Sequence, residues 1–477
     1  MEFEPVIGLE VHLELATDTK LFCSCSTRFG AGPNTQTCPI CLGMPGALPV
    51  FNKKALDFAI KTGLAFNSHI AQSSSFDRKN YYYPDLPKAY QNTQYYQPIC
   101  KGGYIDIGSK VEGKRIRINR IHIEEDAGKL IHDSQEQETR IDYNRAGIPL
   151  LEIVTEPDFG SCDDVETFLN HLRLTAIYLG VSDCKMEEGS LRCDVNISVR
   201  PKTAYKLGAR VEIKNLNSFK AIRHAIKYEF SRHEAILARK ETIKTETRRW
   251  NENTSKTESM ENRDKSIDYR YFPDPDLPAL FVEEKTIDYI RSGLPELPSL
   301  KYKRLIEEYG LDKKDADLLI SIPDLVKYFE DCIAEYGKPR VVCNWLTGDF
   351  LRLINESMSD IKTSRIRPKM IKNLLQMIDQ GLISSTIAGR VFERMFHTGE
   401  SPEAIVEKDN LHQVSNDKIL ESIVSLVLEK NKGPVRDYMV GKKKAISYLM
   451  GQAMEAMDGK ANPLKLKEMI EKKLEES

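Results

Sequence analysis

The chain has 477 residues, with 69 Lys/Arg against 71 Asp/Glu and 41% hydrophobic residues. That length exceeds one ordinary core and predicts two to four domains, and the composition is that of a folded chain rather than a disordered one. A net charge of -2 excludes a globally basic surface, so any contact with nucleic acid must come from local patches.

The opening MEFEPVIGLE has no basic stretch ahead of an apolar one, and no run of about 18 apolar residues occurs, so neither a secretory leader nor a membrane span is expected. From Ile7, the residues Leu9, Val11, Leu13 and Leu15 alternate with polar ones, which predicts a half-buried strand whose other face carries Glu10, His12 and Glu14. Cys23-x-Cys25 and Cys38-Pro-Ile-Cys41 follow, with twelve residues between the pairs. Two such pairs suit a tetrahedral Zn²⁺ in a knuckle at 23–41, and four thiolates leave no open position, so the zinc is expected to be structural. The other six cysteines (Cys100, Cys162, Cys184, Cys193, Cys332 and Cys343) lack paired spacing and read as small buried residues in a reducing, cytoplasmic setting.

Phe76 to Tyr90 interleaves Lys79, Lys88 and several tyrosines. Such a stretch either stacks bases and meets phosphates or is a Pro-rich loop that packs its tyrosines. Ile121-His-Ile-Glu-Glu-Asp126 ends a strand with three acids; alternation puts Glu125 on the face of Ile121 and Ile123, with Glu124 and Asp126 opposite. A helix is predicted over 164–179 on the stripe Val165, Phe168, Leu169, Leu172 and Ala176, opened by an Asp163/Glu166 capping box and stopped by Gly180. Strands follow at 191–199 and 211–213, then a helix over 219–240. The polar faces of these strands carry Arg192, Asp194, Asn196 and Ser198, and Arg210, Glu212 and Lys214. One such face is a solvated surface; four together resemble an active-site sheet for Mg²⁺ and a nucleotide, with Arg192, Asp194, Glu212 and Lys214 at the nucleotide.

The turn-rich stretch 291–299 reads as a boundary, and 398–402 as a second. The expected architecture is α+β with antiparallel strands over 1–293, all-α over 294–404 and a small α-helical tail over 405–477. Residues 429–477 hold eleven Lys/Arg and eight Asp/Glu, and Lys442, Lys443 and Lys444 stand together. That cluster is either a solvated run or a phosphate contact.

Several long blocks together resemble the B subunit of the tRNA-dependent amidotransferases. They are Glu4 to His12, Phe76 to Tyr90, Ile141 to Pro157, Lys185 to Asn196, Glu212 to Phe219, Asp268 to Asp276, and in the tail Val440 to Ala445 and Gly451 to Met454. The resemblance spans the chain. It implies a catalytic cradle like the glutamine synthetase and guanidino kinase fold, a helical domain, and a tail that grips the tRNA body. It implies a heterotrimer with an amidase-type A subunit, which frees ammonia from glutamine, and a small C subunit. The B subunit would be an ATP-dependent carbon–nitrogen ligase. It would phosphorylate the carboxylate of misacylated Glu-tRNA(Gln) or Asp-tRNA(Asn) and let ammonia attack. Mg²⁺ ligands would fall on Glu10, His12 and Glu125, with Asp194 and Glu212 as secondary ones, and Lys79 and Lys88 would lie near the reaction centre or ammonia path. Some members of the family lack the four cysteines; this chain has them. Three other readings are a non-catalytic tRNA-binding scaffold, a zinc hydrolase and a self-sufficient glutaminase. Four closed thiolates argue against the hydrolase, and Ser73-Ser-Ser75 lacks the Gly-rich setting of a catalytic serine. The sequence does not choose between the two misacylated tRNAs.

Overall fold

The computed structural model describes residues 2–108, 113–133, 138–260, 269–413, 417–457 and 459–475. Asp268, the first residue of the 268–276 block, lies outside them, as do 414–416, 458 and 476–477 of the tail. The chain forms two compact units, Met1–Pro298 and Ser299–Ser477.

The first unit is built on a ten-stranded mixed sheet. The opening strand, Phe3–Glu14, lies inside it, between Leu191–Pro201 and Pro149–Thr155. Lys114–Glu125 flanks the second of these, and Val211–Lys214, Glu246–Asn251 and Lys256–Ser259 extend the opposite side. Alternation decides what each strand buries. Ile7, Leu9, Val11 and Leu13 are at most 1% exposed and share one face with Ile121, Ile123, Leu151, Ile153, Val195, Ile197, Val211 and Ile213. Helices Lys53–Ala65, Cys162–Leu179 and Phe219–Ala238 contribute Phe58, Phe168, Leu172, Ile222 and Ile226 to the same core. Each such buried side chain contributes on the order of 1.5–3 kcal/mol.

Two expectations are corrected. The sheet is not wholly antiparallel: Val211–Lys214 runs parallel to Glu246–Asn251, because the Phe219–Ala238 helix between them returns the chain to the same edge. The Cys162–Leu179 helix is capped by Ser161, whose hydroxyl accepts from the Asp164 N–H, and not by an Asp163/Glu166 box. Glu166 instead accepts from Arg223 of the neighbouring helix. Gly180 closes the helix in the left-handed conformation, φ 65°. The next helix ends at Ala238, two residues before the expected 240.

The second unit is helical. Pro323, Pro339, Pro368 and Pro402 each open a helix, where a fixed φ and a missing N–H cost nothing. Leu420, Val424, Leu449, Leu466 and Ile470 form an apolar cluster of their own. No helix among the described residues is long and apolar enough to cross a membrane.

One buried charge fixes the far side of the sheet. Glu229 is fully buried and accepts from Arg232 and Thr257, with Arg248 Nε paired to it at 3.1 Å and His233 Nε2 at 3.2 Å. Burial alone would raise its pKa, but the hydrogen bonds from His233, Arg232 and Thr257 and the Arg232 charge bring it down to about 2. Breaking such a pair leaves buried arginine uncompensated, so Glu229→Gln should cost about 3 kcal/mol at neutral pH. The lowered pKa means this stabilisation is complete above the ordinary value of 4.5 and fades as pH falls towards 2. Urea unfolding followed by Trp250 emission in a Trp345→Phe background should therefore show the two curves converging below about pH 4.

Candidate active-site face and cysteine centre

The face of the sheet opposite the core is polar, and the strand pairing dictates who meets whom. His12 is in register with Arg192 on one side and Glu152 on the other, and Glu152 with His122. Glu10 faces Asp194, and Asn196 faces Glu212. His12 Nε2 lies 3.5 Å from Glu124 Oε1 and 3.7 Å from Glu152 Oε2. His122 Nε2 lies 3.3 Å from Glu152 Oε2 and 3.8 Å from Glu124 Oε2. One ligand atom from each of His12, Glu124 and Glu152 falls within 4.8 Å of the others.

The face is acid-rich and desolvated. Burial and then the charges of Glu152 and Glu212 raise the Glu10 pKa, against a hydrogen bond from Asn196 Nδ2. Burial raises Asp194 despite Lys214, whose Nζ is 4.0 Å away. Burial and the Asp126 charge push Glu14 up to about 8. The imidazoles respond in the complementary sense. Burial would lower His122, but Glu152 and Glu124 push it up to about 9. His12 is likewise raised, by the Glu152 hydrogen bond and charge and by Glu124, against burial. Glu14 Oε1, His122 Nδ1 and Asn196 Oδ1 are buried without a hydrogen-bond partner among the described residues. Clustered carboxylates held against repulsion, with spare donor atoms, fit a divalent cation; an imidazole in the set admits Mn²⁺ or Zn²⁺ as well as Mg²⁺.

The expected trio of Glu10, His12 and Glu125 is not assembled as a trio. Glu125 points the other way, as the alternation along Ile121-His-Ile-Glu-Glu-Asp requires. It contacts Lys88 Nζ at 2.5 Å and accepts from the Asn92 N–H at 3.2 Å. Its neighbour Glu124, with Glu152, occupies the place beside His12. Glu10 shares the face but lies one row along, with Asn196. Of the residues expected at the nucleotide, Arg192 is bound to Asp126 at 2.6 Å and Lys214 to Glu212 at 3.3 Å. A cavity of about 240 Å³ beside Glu10 is lined by Gly8, Asn196, Ser198, Gly208 and Arg210. The two lysines of the Tyr-rich stretch part company. Lys88 joins Glu125, whereas Lys79 Nζ sits over the rings of Tyr269 and Tyr81, 4.8 and 5.6 Å from their centroids.

Glu125 and Lys88 line a second cavity, of about 280 Å³, with Lys20, Cys41, Arg78 and Asp276. The cysteines lie against it. The four Sγ atoms of Cys23, Cys25, Cys38 and Cys41 lie within 4.8 Å of one another, and those of Cys38 and Cys41 are 3.9 Å apart. Tetrahedral zinc with bonds of about 2.3 Å needs sulfurs about 3.8 Å apart, so the set fits. Cys41 is drawn down to about 4 by the Cys23 thiol, the Cys38 N–H and the ammonium of Lys20, which is fully buried with Nζ 3.7 Å from Cys41 Sγ. A buried lysine beside the cluster offsets thiolate charge. Of the six remaining cysteines five are buried; Cys162 is only half-buried, at the first turn of its helix.

Residues 5–288 match the GatB/GatE catalytic domain model, and residues 327–474 the GatB domain model. The chain belongs to this family. It is 49% identical to the B subunit of the aspartyl/glutamyl-tRNA(Asn/Gln) amidotransferase of Thermoanaerobacter pseudethanolicus, over 99% of this chain and all of the relative. It is 50% identical to the protein of that name from Caldanaerobacter subterraneus subsp. tengcongensis, over 99% of this chain and all of the relative, and 48% identical to that of Geotalea daltonii over the full length of both.

In this GatB-family chain, sequence reasoning passed over His122 and Glu152. The signal for Glu152 was present: an acid alone within the apolar strand Pro149–Thr155. It becomes interpretable only once that strand is known to pair with the first. Asp126 was noted as an acid, but its partners Arg145 and Arg192 come from distant segments.

The cysteine geometry gives a direct expectation. Freshly purified protein should carry about one zinc per chain by elemental analysis, and Cys41→Ser should lose it and melt at least about 5 °C lower. Zinc-free protein with an unchanged melt would contradict the assignment.

Proposed function

We propose that this chain is the activating B subunit of a cytoplasmic tRNA-dependent amidotransferase. It phosphorylates, with ATP, the side-chain carboxylate of Glu or Asp esterified to misacylated tRNA. Ammonia from an amidase-type A subunit then displaces the phosphate to give Gln-tRNA(Gln) or Asn-tRNA(Asn), and a small C subunit completes the heterotrimer. The observation that carries this is the desolvated face on which His12, Glu124 and Glu152 bring ligand atoms within 4.8 Å of one another. A scaffold that only held tRNA would gain nothing from burying repelling carboxylates on the open face of a sheet.

On this reading His12, Glu124 and Glu152 would hold the metal, with Glu10, Asp194 and Glu212 on the same face of the sheet. Mg²⁺, when bound, neutralises charge on the transferred phosphoryl group. The protein's own contribution is preorganised charge: Lys214 stands over Asp194 and Glu212, and Arg192 is anchored by Asp126, so both cations are held in place before the substrate arrives. The cavity beside Glu10, with glycines at Gly8 and Gly208 and an arginine at its edge, suits the nucleotide. The cavity shared by Lys88 and Glu125 is the favoured ammonia path. A large sheet with helices on one face and an open polar face supports the likeness to the glutamine synthetase and guanidino kinase cradle. The boundaries 293/294 and 404/405 remain our division of the chain. The segment 405–477, with its exposed Lys442, Lys443 and Lys444, is the part suited to the tRNA backbone.

In the complete heterotrimer, Glu152→Gln should lower misacylated-tRNA-dependent ATP hydrolysis and amidation at least about a hundred-fold, while glutamine hydrolysis by the A subunit continues. Near-normal amidation by this variant would remove the face from the reaction.

A further inference from the structure

An aromatic cluster beside the acidic face is not needed for phosphoryl transfer itself. Tyr95 and Tyr271 stack with ring centroids 4.0 Å apart and planes 9° from parallel. Tyr96 meets both edge-on, and Tyr269 lies 6.0 Å from Tyr271. Tyrosines normally bury their rings, yet Tyr95 is 42% and Tyr96 58% exposed. The cluster is also firmly positioned. Tyr95 and Tyr96 both donate their backbone N–H groups to Asp77 Oδ2 at 3.0 Å, and Asp77 is fully buried. Gln94 Oε1 accepts from the Ile123 N–H at 3.0 Å, which ties the segment to the strand that carries His122 and Glu124. The Arg120 guanidinium, on the polar face of that strand, is 5.9 Å from the Tyr95 ring, and its Nε is buried without a partner among the described residues.

We propose that Tyr95, Tyr96 and Tyr271 form a stacking platform, with Arg120 as its phosphate contact, for the unpaired 3′-terminal nucleotide of the substrate tRNA. This rests on the function proposed above. The reacting amino acid is esterified to the ribose of that nucleotide, so its base must lie beside the acidic face while the rest of the RNA lies outside. An exposed, rigid aromatic surface at the rim of the face meets that requirement, and aromatic faces bind unpaired bases without needing a sequence. The adenine of ATP would stack equally well on tyrosine, but the cavity beside Glu10, with Asn196 Oδ1 and Ser198 Oγ buried and unpartnered among the described residues, offers the nucleotide a place of its own.

The test uses the assembled heterotrimer and two transcripts of tRNA(Gln), one intact and one lacking its terminal adenosine. The wild type should prefer the intact RNA roughly ten-fold. Tyr95→Leu and the surface variant Tyr96→Leu should bring the two affinities towards equality by weakening only the intact RNA, and Tyr95→Phe should restore the preference. KM for ATP should not change. An unchanged preference in both leucine variants, an equal loss of both RNAs, or a rise in KM for ATP in place of the lost preference would each overturn the platform. Failure of the wild-type complex to hydrolyse ATP in response to misacylated tRNA would instead overturn the activating function itself.

Discussion

The strand Phe3–Glu14 is hydrogen-bonded on both sides, to Leu191–Pro201 along almost its whole length and to Pro149–Thr155 over its second half. A strand so placed cannot slip by one residue without moving Ile7, Leu9, Val11 and Leu13 from the core to the open face. The cost of exposing four fully buried aliphatic side chains locks the register, and the register fixes the position of Glu10 and His12. Everything on the polar face follows, because Arg192, Asp194, Glu152 and His122 are set by pairing to this strand or to its neighbour. The hydrophobic face is thus what aims the acidic one.

The same arrangement explains why the acidic face can exist. Carboxylates on a half-buried sheet repel one another and lose water, which is why Glu10, Glu14 and Asp194 are all raised. Within the chain the repulsion is relieved by His12 and His122 between Glu124 and Glu152 and by Arg192 and Arg145 on Asp126. On the function proposed above, a face with these compensations is stable enough to fold and still able to take up metal and polyphosphate. Glu229 marks the contrast: its partners overcompensate it, its pKa falls, and it serves the packing of helix on strand.

What the sequence made legible was whatever depends on local period. Alternation located four strands of the sheet, at 7–15, 121–126, 191–199 and 211–213, and sorted their faces, and the Cys pairs located a cysteine cluster whose four sulfurs come together. It also contained the answer on Glu125, since Ile121 and Ile123 put that residue on the apolar side; the resemblance-based ligand set overrode this. What stayed hidden depends on strand order. Glu152 lies more than a hundred residues from His12, and Tyr95 and Tyr271 are farther apart still; no spacing in one chain announces such meetings. The parallel pair of Val211–Lys214 and Glu246–Asn251 was missed for the same reason, because a crossover through a helix reads locally like any strand and helix in succession.

The two faces of the Lys114–Glu125 strand end in adjacent acids with different fates: Glu124 joins His12 and Glu152, and Glu125 joins Lys88 beside the cysteine centre. On the function proposed above, the first of these, not the second, is the metal-binding face. Titration of the purified chain with Mn²⁺ as a spin probe, followed by electron paramagnetic resonance, separates the two. One bound Mn²⁺ that Glu124→Gln abolishes and Glu125→Gln retains is the predicted result; loss of the bound ion with Glu125→Gln and its retention with Glu124→Gln would contradict it.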